Sequence, residues 1–331
     1  MLVTCSKVEG HLMQGIVMLA RLVLIVIVLA SNSGLAFAAI ANKAESIVQT
    51  KNTAKFIGIN SIGNINLNLH TQASKNKVIL KGDSRDLAYM NLQVKDGILQ
   101  LKMGKGYPKF GPVTVDTYSK YLSSLNYKGS GVIAGKKIRA NLINLNINND
   151  GQTMLDGTVR LGHLELKGNG YTEINNAISP KLQLILADNA KLRLKGRVDV
   201  RAIDMSGNSW LSTYWVKSTT LFINACDNAF VQTAGIVNKM DANISGNARL
   251  DAKYLRARTA FVKTFGSSVA DISVIKTQHT LASDNSDINF YNLPDMKTNF
   301  MAFDGSVLDM RAILSPYVEE PSHYNKGVPQ S

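Results

Sequence analysis

The sequence predicts an all-β fold: a right-handed parallel β-helix, or solenoid, with coils of about 19–20 residues, preceded by a short β capping region. The main observation is a turn residue, usually Asn, that returns at a nearly constant step along the last two-thirds of the chain. The turn residues are Asp150, Asn169, Asn189, Asn208, Asn228, Asn247, Gly266, Asn285 and Gly305. A fixed period of this length indicates that each repeat is one coil, which buries its apolar side chains against the neighbouring coils.

Alternating apolar residues on both sides of each turn residue predict two strands that meet at a corner. Aliphatic residues stand five and three positions before it, as in Leu164 and Leu166, and a small and then an aliphatic residue follow it, as in Ala190 and Leu192. Alternation of period two is typical of strands with one buried face. The corner dipeptides are Gly-Asn or Asp-Asn, and Gly and Asn adopt positive φ at low cost.

The Asn side chains of successive coils are expected to hydrogen-bond one another as a ladder along the solenoid axis. Coils stack at an inter-strand distance of about 4.8 Å. A ligand-binding role for this row is the alternative, and a structural ladder is the favoured interpretation. The predicted ladder residues are Asn169, Asn189, Asn208, Asn228, Asn247 and Asn285.

The N-terminal residues 1–38 have the pattern of a secretory signal peptide. Arg21 is followed by the apolar residues 22–30, a polar break and the sequence Ala36-Phe37-Ala38, which predicts cleavage after Ala38. An uncleaved membrane anchor is the alternative. The apolar run is too short for a transmembrane helix of about 20 residues, so no membrane span is expected after cleavage.

The rest of the chain divides into three predicted segments. Residues 47–120 contain short strands and turns that are expected to cap or start the solenoid, because a β-helix does not leave its terminal apolar layer open. Residues 121–312 carry the regular coils. Residues 313–331, which contain three prolines, are predicted to form a flexible tail.

A leucine-rich repeat is the alternative fold. Residues 161–169 match its L-x-x-L-x-L-x-x-N spacing. However, the position two residues after the Asn should be aliphatic and is charged in other coils, as at Lys191 and Arg249, and the remaining residues of each coil leave no room for a helix. Within the β-helix, Lys263 stands where an aliphatic residue belongs, so we expect a bulge or shifted register at residues 261–265.

Short strand-and-turn motifs before and within the coils resemble the GIN-domain family, described as "putative auto-transporter adhesin, head GIN domain". The motifs are residues 56–59, 65–69, 78–83 and 91–101, then Gly129-Ser130-Gly131 and the Gly-Asn-Gly, Asp-Asn-Ala and Gly-Asn-Ser corners. The resemblance covers about residues 50–310. It implies an exported β-helical protein of bacterial envelopes, with no family active-site residues to transfer.

Catalytic and metal-binding motifs do not emerge from the sequence. The histidines His70, His163, His279 and His323 lack metal-ligand spacing, so neither a metal nor a cofactor is predicted. β-Helical polysaccharide enzymes cluster acids on one face. The acids that follow the corner here are separated by coils without an acid, so a solvated face is the favoured interpretation and no catalytic residue is predicted. These acids are Glu173, Asp251, Asp271 and Asp309.

Basic residues are the most informative charge feature. The chain has 37 Lys and Arg against 24 Asp and Glu, a net charge of +13, and nine to twelve residues after the corner a cation recurs in coil after coil. If the coils are in register, these cations form a stripe, which is either a solvated edge or a track for an extended anionic polymer. The predicted ligand-binding residues are Lys181, Arg201, Lys217, Lys239, Arg256, Arg258, Lys276 and Lys297.

The sequence thus predicts an exported, non-enzymatic β-helical protein of the bacterial periplasm, cell surface or extracellular space, acting as an adhesin-like binding scaffold. Its hypothesised ligand is an anionic surface polysaccharide or lipopolysaccharide. Nucleic acid is not expected as a partner, because interleaved stacking aromatics are sparse and export is predicted. A purely structural envelope protein and a polysaccharide-acting enzyme are the alternatives. The enzyme would gain weight if folding brought two carboxylates and a Lys or Arg within about 10 Å on one face.

Overall fold

A computed structural model describes residues 46–291 and 297–310 of the chain. In these residues 19 strands form a single sheet, which winds into a β-solenoid of about nine turns, and one short helix follows the fourth strand. The predicted all-β solenoid is therefore confirmed. The predicted signal peptide, residues 1–38, and the predicted tail, residues 313–331, lie outside the described residues.

The first part of the solenoid combines parallel and antiparallel pairs. Strands β2 and β3 pair in parallel with strands later in the chain, whereas β1–β4, β4–β7 and β5–β6 are antiparallel. The elements are β1 Ser46–Asn52, β2 Gly58–Ile62, β3 Asn66–His70, β4 Lys77–Asp83, α1 Ser84–Leu87, β5 Met90–Lys95, β6 Ile98–Met103, β7 Thr114–Tyr118 and β8 Ser124–Gly129. In the part of the chain that the structure describes, no helix has the length and apolar character needed to cross a membrane.

From β9 onward, each long strand is bent and forms most of one coil, paired in parallel with the coils before and after it. We divide a coil into three segments, which in β14 are residues 230–233, 235–237 and 239–244. The strands are β9 Ile133–Asn149, β10 Gln152–Lys167, β11 Tyr171–Leu186, β12 Lys191–Met205, β13 Trp210–Ala225, β14 Phe230–Ile244, β15 Arg249–Thr264, β16 Val269–Ser283, β17 Asp287–Phe290, β18 Lys297–Phe303 and β19 Ser306–Asp309.

Aliphatic side chains fill the interior of the coils. In β14 the inward residues Val231, Val237, Met240, Ala242 and Ile244 are at most 1% exposed. Full burial of a large aliphatic side chain stabilises a fold by about 1.5–3 kcal/mol. Because parallel register places like positions of successive coils next to each other, each coil obtains this stabilisation from its two neighbours.

The corner before each first segment depends on a Gly or Asp with positive φ, which precedes the Asn in most coils, Ser267 in one and Gly305 in the last. These residues are Gly168, Asp188, Gly207, Asp227, Gly246, Gly266, Asp284 and Asp304. The Asp carboxylates stabilise the neighbouring coil: the N–H of Gly168 donates to Asp188 Oδ2 at 3.0 Å and that of Gly207 to Asp227 Oδ2 at 2.9 Å. The sequence pattern had identified the dipeptide but not this second row of hydrogen bonds.

The Asn side chains form a ladder along the corner, starting from Asp150. The Nδ2–Oδ1 distances are 2.8 Å for Asn169–Asp150, 2.6 Å for Asn189–Asn169, 2.8 Å for Asn208–Asn189, 2.9 Å for Asn228–Asn208 and 3.2 Å for Asn247–Asn228. The next corner has Ser267 at this position. Asn285 follows Ser267, and among the described residues the hydrogen-bonded ladder runs from Asp150 to Asn247.

The coil around Lys263 is regular, which corrects the expected bulge at residues 261–265. Residues 259–264 pair without a shift with both neighbouring coils. Val262 and Thr264 point inward at 1% and 0% exposure, and Lys263 points outward. The prediction failed because Gly266 aligns with Gly246 and not with Asn247. The true turn residue is Ser267, so the sequence count was out of phase by one residue.

A second positive-φ position, between the first and second segments, was missed by the sequence pattern. It is occupied in turn by Lys137, Gly157, Asn176, Gly196, Trp215 and Gly235. At Gly235 φ is 141°, and an added Cβ would lie 2.0 Å from the carbonyl oxygen of Val216. Only glycine therefore fits at this close approach between coils.

Replacing Gly235 with Ala tests this contact. Because Gly235→Ala combines an unfavourable φ with a backbone clash, we expect the free energy of unfolding to fall by at least about 1–3 kcal/mol, measured by urea denaturation. Gly106→Ala is the control, since Gly106 has a φ of 78° but no heavy atom near the added Cβ. Equal losses at the two positions would show that the close approach is unimportant.

The Asn ladder is tested by Asn208→Ala, which removes two side-chain hydrogen bonds, one to each neighbouring coil. We expect a loss of about 1 kcal/mol in the free energy of unfolding, since exposed neutral hydrogen bonds each contribute about 0.5–1.5 kcal/mol or less. Asn285→Ala, outside the ladder, should change stability little. A similar loss in both variants would contradict a stabilising ladder.

Candidate functional site

Outward-pointing residues of successive coils form rows along the solenoid, because the coils are paired in parallel register. The predicted ligand-binding cations lie on second segments, at the corner that leads to the third segments, or, for Lys239 and Lys297, at the first position of the third segments. We call this surface the basic face. Most of its cations are exposed, and Lys239 and Arg256 are half-buried.

The cations of the basic face occupy more than one row. In one row the order is Lys217, Ile236, Arg256 and Ser273; in another it is Thr220, Lys239, Thr259, Thr277 and Lys297. In both rows neutral residues separate the cations, which are thus at least two coils, about 10 Å, apart. Direct repulsion between like charges on neighbouring strands is thereby avoided.

The basic face carries few compensating acids. Within the described residues, the one ion pair of the predicted cations joins Lys239 Nζ to Asp241 Oδ2 at 3.9 Å. Lys239 also lies 4.9 Å from the centre of the Phe261 ring. Between the cations the face exposes aliphatic side chains, and Ile178, Ile236 and Ile275 are 45%, 56% and 41% exposed.

A concave site adjoins the basic face in the first coils. This basic pocket has a volume of about 550 Å³, and its lining includes the cations Lys120, Arg139 and Arg160. Its apolar lining includes Ile57, Tyr121 and Leu142. The site draws residues from segments that are far apart in sequence, which is why the periodicity did not reveal it.

Acidic residues meet on a different surface, the outer side of the first segments. Parallel register aligns Glu173, Arg193, Ser212, Gln232, Asp251, Asp271 and Asn289 in one row. Asp251 and Asp271 are 9% and 3% exposed. The expectation of a solvated acidic face was therefore wrong for these two residues, because long polar neighbours cover them.

Asp271 is fully engaged by its neighbours. Its Oδ1 accepts from Asn289 Nδ2 at 2.9 Å, and its Oδ2 accepts from Arg249 Nη2 at 3.3 Å. Burial raises the pKa of Tyr291, and the negative charges of Asp271 and Asp251 raise it further.

Asp251 is less completely satisfied. Its Oδ2 accepts from Gln232 Nε2 at 3.5 Å, whereas its buried Oδ1 has no hydrogen bond and lies 3.8 Å from Lys253 Nζ. Asp251 and Asp271 are register partners on adjacent strands, and such strands are spaced about 4.8 Å apart. Two carboxylates and two cations thus meet on one face, the arrangement that would favour an enzyme. We call Asp251 and Asp271, with Arg249 and Lys253, the acidic cluster.

Glu173, farther along the same row, belongs to a separate ion pair. Its Oε1 lies 2.8 Å from Lys195 Nζ, and its Oε2 accepts from the Tyr171 hydroxyl at 3.1 Å. The hydrogen bond from Lys195 lowers the pKa of Glu173, and burial raises that of Tyr171. These contacts keep Glu173 ionised and tie neighbouring coils together.

Two of the histidines stack on aromatic rings. His70 stacks on Tyr118 at 4.4 Å between ring centres, and His279 stacks on Phe261 at 4.7 Å. Among residues 46–291 and 297–310, no three His, Cys, Asp or Glu side chains are grouped so as to hold a metal ion. His323 lies outside these residues.

Comparisons with known proteins were made with both sequence and structure. None of the curated proteins matches the sequence. A putative adhesin from Parabacteroides distasonis is 16% identical, with 80% of this chain and 97% of that chain covered and a TM-score of 0.45. A putative adhesin from Parabacteroides merdae is also 16% identical, with coverages of 81% and 98% and a TM-score of 0.44. A putative cell adhesion protein from Clostridium sporogenes is 10% identical, with coverages of 80% and 98% and a TM-score of 0.19.

The family profile gives the decisive match. It aligns with residues 55–209 and again with residues 176–294, which together are more than half of the chain. The two matched ranges contain the corner ladder, the basic face up to β16 and the acidic cluster. The chain belongs to the family described as "Putative auto-transporter adhesin, head GIN domain".

Proposed function

We propose that this protein is an exported, non-enzymatic binding scaffold of the bacterial envelope or cell surface that binds an extended anionic glycan along its basic face. The observation that carries the proposal is the recurrence of exposed cations on one side of a regular stack with few acids beside them. Membership of an adhesin-like family and the signal-like residues 1–38 support export and binding. An acidic surface polysaccharide or lipopolysaccharide has the required charge.

The spacing of the cations suits a repeating ligand. An exposed ion pair contributes only about 0.2–1 kcal/mol, so useful affinity requires several contacts made together. Cations that recur every two or three coils present charge at steps of about 10–15 Å along the axis. A polymer lying parallel to the axis meets several of them, and added salt screens such exposed contacts.

Charge reversal tests the basic face. The variant Lys217→Glu/Arg256→Glu/Arg258→Glu should lose at least about tenfold in affinity for an immobilised anionic polysaccharide, because three weak contacts become repulsive. The wild type should be retained selectively on one anionic polysaccharide, less so at high salt, and not on neutral ones. Far-UV circular dichroism checks that the variant is folded.

The matched control is Lys102→Glu/Lys128→Glu/Lys263→Glu. It changes the net charge equally at exposed positions in β6, in β8 and on the third segment of β15. This variant should be retained like the wild type. Equal losses in the two variants would reduce the effect to overall charge, and unchanged retention of the first variant would exclude the basic face as the binding surface.

A polysaccharide-acting enzyme is the second candidate, and the acidic cluster favours it. Glycosidases use two carboxylates about 5–9.5 Å apart, and Asp251 and Asp271 are neighbours with Arg249 and Lys253 beside them. Against this reading, both carboxylates are buried, and Asp271 is held by two donors.

Turnover assays decide between the candidates. Incubation with a panel of polysaccharides should release no reducing ends above the level of Asp251→Asn/Asp271→Asn, because the scaffold proposal assigns these carboxylates a structural role. Asp204→Asn, a half-buried carboxylate that accepts from Asn224 on the third segments, is the control. Release by the wild type and Asp204→Asn that is lost in the double variant would establish an enzyme.

A further inference from the structure

The basic pocket has the properties of a site for a small ligand, separate from the stripe of cations. Its volume of about 550 Å³ falls within the range of about 300–1,000 Å³ typical of ligand sites. It is built where residues from the β1–β3 region, the segment after β7, and strands β9 and β10 meet. None of its cations is needed for the glycan binding proposed above.

The charge of the pocket calls for an anion. Lys120, Arg139 and Arg160 are exposed, and none of the ion pairs among the described residues involves them. The Lys120 Nζ lies 5.3 Å from the centre of the Tyr121 ring. Arginine presents several donors in a planar fork that matches phosphate, and lysine adds a point charge. A phosphate group near these three side chains would supply the missing partner.

The apolar lining indicates that the ligand has an apolar part as well as a negative charge. Ile57, Tyr121 and Leu142 are 46%, 53% and 51% exposed. Three large apolar side chains in contact with water beside cations are poorly matched to a free sugar or an inorganic ion. A Tyr among aliphatic residues with basic neighbours is typical of protein surfaces at a membrane interface.

The neighbouring surface has the same mixed character. Ile178, in the coil after Arg160, pairs in register with Arg197. Ile178 is 45% exposed. Cations attract the anionic headgroups of a leaflet, and shallow aliphatic side chains gain by burial at its surface.

We propose that the basic pocket binds the phosphate headgroup of an anionic lipid, with Lys120, Arg139 and Arg160 around the phosphate and Ile57, Tyr121 and Leu142 against the start of the acyl chains. The pocket thereby docks the first coils on an anionic membrane surface. This inference does not rest on the proposed glycan binding, because the two sites use different residues.

Vesicle co-sedimentation of the predicted mature chain, residues 39–331, tests the proposal, with phosphatidylcholine vesicles compared with vesicles that also contain phosphatidylglycerol. We expect binding only in the presence of phosphatidylglycerol. Arg139→Glu/Arg160→Glu should weaken it by about tenfold or more, since each cation near an anionic surface contributes substantially. Lys102→Glu/Lys128→Glu makes the same charge change in β6 and β8, away from the pocket, and should bind like the wild type.

A charge-neutral variant separates a lipid from a free phosphate. Leu142→Ser should weaken vesicle binding severalfold, and glycerol phosphate should not displace the protein. Unweakened binding by Leu142→Ser together with displacement by glycerol phosphate would overturn the lipid assignment. Two other results would overturn the assignment of the basic pocket as the binding site: equal effects of the two charge variants, or equal binding to vesicles with and without phosphatidylglycerol. Retention of Arg139→Glu/Arg160→Glu on polysaccharide should be unchanged, which distinguishes failure here from failure of the glycan proposal.

Discussion

The stacking of one coil on the next at a constant inter-strand distance determines the rest of this structure. Parallel pairing fixes the distance at about 4.8 Å, and aliphatic residues such as Leu194 and Val231 fill the interior and hold successive coils together. Because the interior is packed, ligands have access only to the outside. Every outward position then belongs to a row, so the chemistry of the surface is decided by which residues recur at that position.

Different rows have given this solenoid surfaces of opposite character. The second segments place cations and aliphatic side chains in water, as at Arg256 and Ile236. The first segments bury paired carboxylates under amides and cations, as at Asp271. A carboxylate can be buried only if hydrogen-bond donors replace its lost hydration. The first segments therefore carry many polar contacts, whereas the basic face carries few.

The sequence was a good guide where structure depends on local repetition. The period, the inward aliphatic positions and most of the Asn ladder could be predicted, because each is set by residues a fixed step apart. The sequence count went out of phase at Ser267 because neither Gly266 nor Ser267 is an Asn. The burial of Asp251 and the basic pocket could not be predicted, since they depend on side-chain lengths in neighbouring coils and on segments distant in sequence, such as those of Ile57 and Leu142, that line one pocket.

The two corner rows share a feature that concerns how such a chain can grow. Gly and a residue with a side chain alternate along the Asn corner from Gly168 to Asp227, and again along the other corner from Gly157 to Gly235. Each Asp at the first corner accepts from the Gly of the coil before it. In this stretch the unit that repeats is therefore a pair of coils. Duplication or deletion of a pair preserves these corner contacts, whereas loss of one coil places two like residues together. Within this stretch, a change of length by two coils should therefore be tolerated better than a change by one.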